Sequence, residues 1–202
     1  MLHIAQGSLA GVDAWFSDPS AQASANYCVG QNGEIHCYVD PHGSDAPFAN
    51  GLVQAPDATV QRLLQTSGGG NLNFVTVSIE HAGFSGSPTQ LTPAQLHASA
   101  WLTAWLQQTF HIPNDEDHLI GHYEIDSVTR QHCPGLDRAG WLAYEEAVAA
   151  FSVEPAPPAD PRIAAAIAAL PALELATRQL RQILTAAPAG VAPPDALEIG
   201  AR

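Results

Sequence analysis

The residues with the most chemistry to offer lie at two distant places in this 202-residue chain. Leu2-His3-Ile4-Ala5-Gln6-Gly7-Ser8 opens it, and Gly121-His122-Tyr123-Glu124-Ile125-Asp126 and His132-Cys133-Pro134-Gly135 come far downstream. Between them an apolar run carries a carboxylate, Val77-Ser78-Ile79-Glu80-His81. Imidazole and thiolate are ligands that zinc favours, and a catalytic zinc keeps three protein ligands and one open position for water. A carboxyl group in apolar surroundings has its pKa raised, which suits proton transfer near neutrality. His3, His122 and Cys133 as ligands, with Glu80 as a separate proton carrier, would suit hydrolysis of an amide.

Each residue also has a plainer reading. A lone histidine is usually a surface or satisfied core residue, and a lone cysteine is usually a small apolar side chain. His36, His42, His81, His97, His111 and His118 are read that way. His132 adjoins Cys133 and competes with His3 for a place in the ligand set. Strand alternation leaves Glu80 open: either it faces a site, or it lies on a solvated face while His81 points inward.

These side chains need elements to hold them. Asn26–Val39 reads as a hairpin about Asn32-Gly33, and a loop rich in Pro, Gly, Asp and Asn follows from Asp40 to Gly51. Phe74-Val75-Thr76-Val77-Ser78-Ile79 reads as a short buried strand delivering Glu80. Thr92-Pro93-Ala94-Gln95 is a helix start, with Thr92 as cap, Pro93 in the first turn and Gln95 closing a capping box. That helix is expected to reach about Phe110, before Pro113, with Leu96, Ala100, Leu102, Trp105 and Leu106 on its apolar side. His118–His122 reads as a short strand ending at the ligand. A further helix begins near Arg138 and carries Trp141, Leu142, Tyr144 and Val148. This unit is expected to span residues 1–152. Residues 153–160 read as a Pro/Ala-rich linker, 161–186 as a helical extension able to self-associate, and 187–202 as a flexible tail.

Composition excludes several partners. The chain is 46% hydrophobic and 13% charged, which fits a folded domain. Its formal net charge is −13, it has no lysine and its arginines are scattered, so nothing forms a footprint for nucleic acid or an anionic membrane. No apolar run is long enough to span a membrane, and the N-terminus lacks a secretory signal pattern. An intracellular protein is expected, or one exported by another route. A truncated natural start is also considered, because a strand carrying His3 begins almost at the terminus and would fray unless tied down.

Three cysteines do not suggest a disulfide framework. A two-residue turn at Asn32-Gly33 would set Cys28 opposite Cys37, close enough to bridge. The preferred reading is two reduced, buried thiols, with a bridge in an oxidising compartment.

At these residues the chain resembles the zinc-dependent N-acetylmuramoyl-L-alanine amidases, the type 2 amidase family that shares its fold with peptidoglycan recognition proteins. The likeness covers about Met1 to Phe151 and is nearest to phage endolysins and bacterial wall amidases. It rests on pieces in family order: His-Ile-Ala-Gln-Gly-Ser at 3–8, Ala-Trp-Phe at 14–16, Ser-Ala-Asn-Tyr at 24–27, Asn-Gly-Glu-Ile at 32–35, Ser-Ile-Glu-His at 78–81, Leu-Thr-Pro-Ala-Gln at 91–95, Ile-Gly-His-Tyr-Glu-Ile at 120–125 and Cys-Pro-Gly at 133–135.

The resemblance implies an α/β fold, a mixed central β-sheet flanked by helices, and zinc held by His3, His122 and Cys133. It implies a peptidoglycan or muropeptide substrate, cut between N-acetylmuramic acid and L-alanine, with Glu80 handling protons. Two departures stand out. Many relatives carry lysine or threonine two residues before the third ligand, aimed at the developing oxyanion; this chain has Gln131 there, an uncharged hydrogen-bond donor that stands with Glu80 as a catalytic candidate. A tyrosine used by some phage members aligns near Ala25, while Tyr27 is expected in the core. The alternative is a non-catalytic muropeptide-binding module of the same fold. Such relatives commonly lose the cysteine ligand, which is present here.

Overall fold

The computed structural model describes residues 1–51, 53–85 and 91–151. The chain divides into two units, Met1–Val153 and Glu154–Arg202. The expected linker, helical extension and tail, and any self-association through them, lie outside the described residues.

Four short strands form one mixed sheet: β1 (Leu2–Ile4), β2 (Tyr27–Val29), β3 (Ile35–Cys37) and β4 (Ile79–His81), in the order β1-β4-β2-β3. β4 runs parallel to both β1 and β2, and β3 is antiparallel to β2. Among the described residues five α-helices flank it: α1 (Leu9–Phe16), α2 (Ala58–Thr66), α3 (Pro93–Phe110), α4 (His122–Ile125) and α5 (Arg138–Phe151). The expected mixed sheet flanked by helices is the fold observed.

Register sorts the side chains onto two faces. Leu2, Ile79 and Tyr27 lie side by side, and Val29 joins them in the core beneath α3 and α5 with Ala100, Leu102, Leu106, Tyr144 and Val148. The next row is His3, Glu80, Cys28 and His36. Because alternate residues point to opposite faces, this row looks away from α3. Cys28 meets Val12 of α1 on that side. β1 is tied down on both edges: Ile79 N–H donates to the Met1 carbonyl at 2.9 Å and Leu2 N–H to that of Ile120 at 2.8 Å.

The helix starting at Thr92 forms over the expected span. The Thr92 hydroxyl accepts from Gln95 N–H at 3.1 Å, and His111 ends the helix in the left-handed region at φ 54°. Gln95 does not complete a capping box. Its amide is buried and donates to the carbonyls of Val29 and Ala82, stitching α3 to the sheet. Trp105 is partly exposed rather than core.

Four expectations are corrected. The Asn32-Gly33 turn is longer by one residue: Gly30 N–H donates to Glu34 O, and Gly33 takes φ 85°. One residue of slip reverses which side chains are opposed, so Cys28 faces His36 and Cys37 faces Tyr27. All three cysteines are free, and Cys37 is exposed rather than buried. The run from Phe74 begins in a 3-10 turn (Leu72–Phe74), because the Asn71 side chain accepts from Asn73 N–H and diverts the backbone. Only Ile79–His81 remains as strand. Finally, His118–His122 makes no strand. A single bridge joins Leu2 to Gly121, after which the chain turns into α4. α1 and α2, capped by the side chains of Ser8 and Asp57, are additional elements.

Candidate metal and proton-transfer site

His3 leaves the middle of β1 and is buried. His122 is the first residue of α4, also buried, and Gly121 before it has to be glycine. A Cβ there would lie 2.6 Å from the Tyr123 ring and 3.0 Å from Pro134 Cδ. Cys133 follows in a turn closed by its N–H to the Arg130 carbonyl, 2.8 Å, while its own carbonyl accepts from Tyr123 N–H at 2.9 Å. That second bond holds the cysteine loop against α4.

These elements bring three ligand atoms to one place. One nitrogen from each of His3 and His122 and Cys133 Sγ all lie within 4.8 Å of one another. The two Nδ1 atoms are 2.9 Å apart. His132, the competing residue, is exposed and stands outside the cluster. His36, His42 and His118 are instead occupied with carboxylates at Asp13, Asp40 and Asp115.

The surroundings set the protonation of each candidate ligand. His122 Nε2 donates to the Asn50 carbonyl at 3.2 Å, which leaves Nδ1 as the lone-pair nitrogen. Burial lowers the His122 pKa to about 4. Burial, then the neighbouring His122, holds His3 well below the usual histidine range. Both imidazoles are therefore neutral at pH 7, as ligands must be. The Cys133 sulfur accepts from Ile4 N–H at 3.2 Å, yet burial pushes the thiol up to about 12. Two neutral imidazoles and a buried thiol, aimed at one point, fit a divalent cation with nitrogen and sulfur preference.

His81 supports His3 from beneath. It points into the core, donates from Nδ1 to the His3 carbonyl at 2.7 Å, and accepts from the Ser99 hydroxyl at 2.7 Å. Ser99 in turn meets the Tyr144 hydroxyl at 2.7 Å, and Thr103 reaches it at 2.8 Å. Three elements thus fix the backbone at His3.

Glu80 looks into a cleft of about 760 Å3 on the other face, which His122 and Cys133 also line. So His81 does point inward, but the opposite face holds this cleft. Glu80 Oε2 is buried with no hydrogen-bond partner among the described residues. Burial raises its pKa to about 8, with the Arg130 charge pulling the other way. Gln131 is exposed on the cleft wall beside Arg130.

Sequence reasoning missed Asn50, Arg130 and Asp126. Asn50 sits in an irregular loop and offers only a backbone carbonyl to His122, which no pattern reveals. Arg130 had a signal, as a cation three residues before Cys133 in a chain without lysine. Buried Asp126 accepts from the backbone N–H of Val128 and Thr129, and its carbonyl accepts from Arg130 N–H. It thereby shapes the loop carrying Arg130.

The family described as N-acetylmuramoyl-L-alanine amidase matches this sequence over residues 1–136. The chain belongs to that type 2 amidase family. It is similar to N-acetylmuramoyl-L-alanine amidase A of Achromobacter lyticus, with 27% identity over 151 residues, 67% of this chain and 74% of that protein. No solved structure matches it. No helix among the described residues is long and apolar enough to cross a membrane.

Proposed function

We propose that this protein is a zinc-dependent amidase that hydrolyses the bond between the lactyl group of N-acetylmuramic acid and the L-alanine of a peptidoglycan stem peptide. The observation that carries this reading is the convergence of His3, His122 and Cys133 on one another, with His122 and Cys133 lining the cleft that Glu80 faces. Family membership and the Achromobacter lyticus relative support the reaction class. Retention of Cys133 favours catalysis over a binding-only module.

His3, His122 and Cys133 would hold the ion. Zinc there would supply a Lewis acid and would lower the pKa of a water molecule. The Asn50 carbonyl keeps the proton on His122 Nε2, and Ile4 N–H stabilises the Cys133 thiolate. Glu80 accepts the proton of the attacking water at its carboxylate and returns it to the leaving nitrogen. Hydroxide adds to the lactyl carbonyl, the C–N bond breaks, and the products are a lactyl carboxylate and a free L-alanine amine. Arg130 holds part of the Glu80 population ionised, as a base requires.

Mass spectrometry of purified peptidoglycan after digestion tests this. Stem peptides with free N-terminal alanine should be released, and a chelator should abolish them. Release of no such peptide by the metal-loaded protein, with muropeptide still bound, would establish the binding module instead.

A further inference from the structure

The cleft beside Glu80 has a mixed lining. Thr129, Arg130 and Gln131 enter it from the 129–132 loop. Trp15 enters from α1 and Phe48 from the loop before Asn50. These two rings are 56% and 68% exposed, although both belong to well-anchored backbone. Phe48 is paired with Ser24 through both its N–H, 3.0 Å to Ser24 Oγ, and its carbonyl, 3.3 Å from Ser24 N. Trp15 sits on α1, whose first turn is capped by Ser8. Its neighbour Phe16 is engaged, edge-on to Tyr38 with centroids 5.0 Å apart, which turns Trp15 outward.

Scattered exposed aromatics are ordinary. Two that line the same cleft as Glu80, His122 and Cys133 offer apolar faces held in place before any ligand arrives. Large rings on rigid backbone gain contact area at little entropic cost.

We propose that Trp15 and Phe48 form a saccharide subsite, stacking on the pyranose faces of the glycan next to the scissile lactyl amide. The inference rests on the amidase reading and deepens it. A pyranose presents a face of C–H bonds, the one extended apolar surface in such a substrate. The stem peptide ends in a carboxylate and suits the lining at Arg130. The substrate then enters in one direction, sugar toward α1 and peptide toward the 129–132 loop. A glycan-bearing muropeptide is accordingly a better substrate than a sugar-free peptide amide.

Isothermal titration of the intact protein with the peptide-free disaccharide N-acetylglucosaminyl-N-acetylmuramic acid tests this without any cleavage. Trp15→Ala and Phe48→Ala should each weaken binding by about tenfold, and Trp15→Phe should retain most of it. Affinity for the free stem peptide should not change. On muropeptide, the alanine variants should raise KM and leave kcat nearly as it was. Unchanged disaccharide affinity in a folded double variant would overturn the subsite, even if the protein proves to be an amidase. Disaccharide binding that depends on these rings, with no amide cleaved, would leave the subsite standing and remove the hydrolytic reading. If the double variant misfolds by circular dichroism, chemical-shift perturbation of the unaltered protein decides. Shifts at Trp15 and Phe48 support the subsite, and their absence overturns it.

Discussion

His3 and Glu80 stand opposite each other on adjacent parallel strands, so an imidazole and a carboxylate leave the same face of the sheet side by side. That register gives the proposed ligand and the proposed proton carrier a separation set by backbone hydrogen bonds rather than by flexible side chains. His81, one residue on, faces the other way and braces His3 through its carbonyl.

The proposed ligand set predicts metal content directly. The parent protein should hold about one zinc per chain. Cys133→Ser and His122→Ala should lose most of it, together with at least about 100-fold in activity. Elemental analysis of dialysed protein alongside a peptidoglycan assay checks both. Full zinc content in Cys133→Ser would refute the assignment of that thiol.

Glu80→Gln should keep the metal and lower kcat by about 10²–10⁴-fold. In the metal-free protein the Glu80 carboxyl should remain protonated until pH reaches about 8. Its infrared carbonyl band should disappear above that pH and be missing from the variant at every pH. A variant with full turnover would end the proton-carrier role.

Arg130→Gln tests the electrostatics of that base. A positive charge favours the carboxylate, and Arg130 lowers the Glu80 pKa. Its removal should move the acid limb of the kcat/KM profile to higher pH, while Arg130→Lys should leave the limb near its original position. A limb unmoved in Arg130→Gln would mean that the guanidinium does not reach Glu80.

Zinc binding should release protons in a way the ligands' environments dictate. Both imidazoles are already neutral at pH 7, whereas the Cys133 thiol, pushed up to about 12, is protonated. Binding should therefore liberate about one proton at neutral pH, and affinity should rise with pH. Calorimetry in buffers of different ionisation enthalpy measures this. Release near zero would mean that the thiol is not a ligand.

Tyr144→Phe probes the support beneath His3. The lost hydroxyl joins Ser99 and Thr103 in a buried cluster, and its removal should cost about 1–2 kcal/mol. Urea unfolding should show a lower midpoint with an unchanged m-value. Zinc content should persist, because the His81 bond to the His3 carbonyl remains.

Local chemistry made much of this protein legible from its sequence. Thr92 and Pro93 specify where α3 begins, since a cap and a first-turn proline act within one helical turn. The apolar run around Ile79 announces a buried strand, and His3, Glu80, His122 and Cys133, in that order along the chain, offer a candidate ligand set and base. Other features depended on contacts that no local pattern encodes. The slip at Gly33 moved Cys37 away from Cys28, and Asn71 shortened the strand before Glu80, because side-chain caps and left-handed turns compete with strand propensity one residue at a time.

The sequence by itself therefore determined which chemical groups are available and several of the elements that carry them. Only the tertiary structure decided that the groups meet. Ile4 N–H reaches Cys133 Sγ across 129 positions, and His3 meets His122 across 119. Parallel pairing of β1 with β4 and the bridge from Leu2 to Gly121 bring the two ends of the domain together. Contacts of that separation arise from the packing of the whole sheet against its helices, and no residue's local preference specifies them.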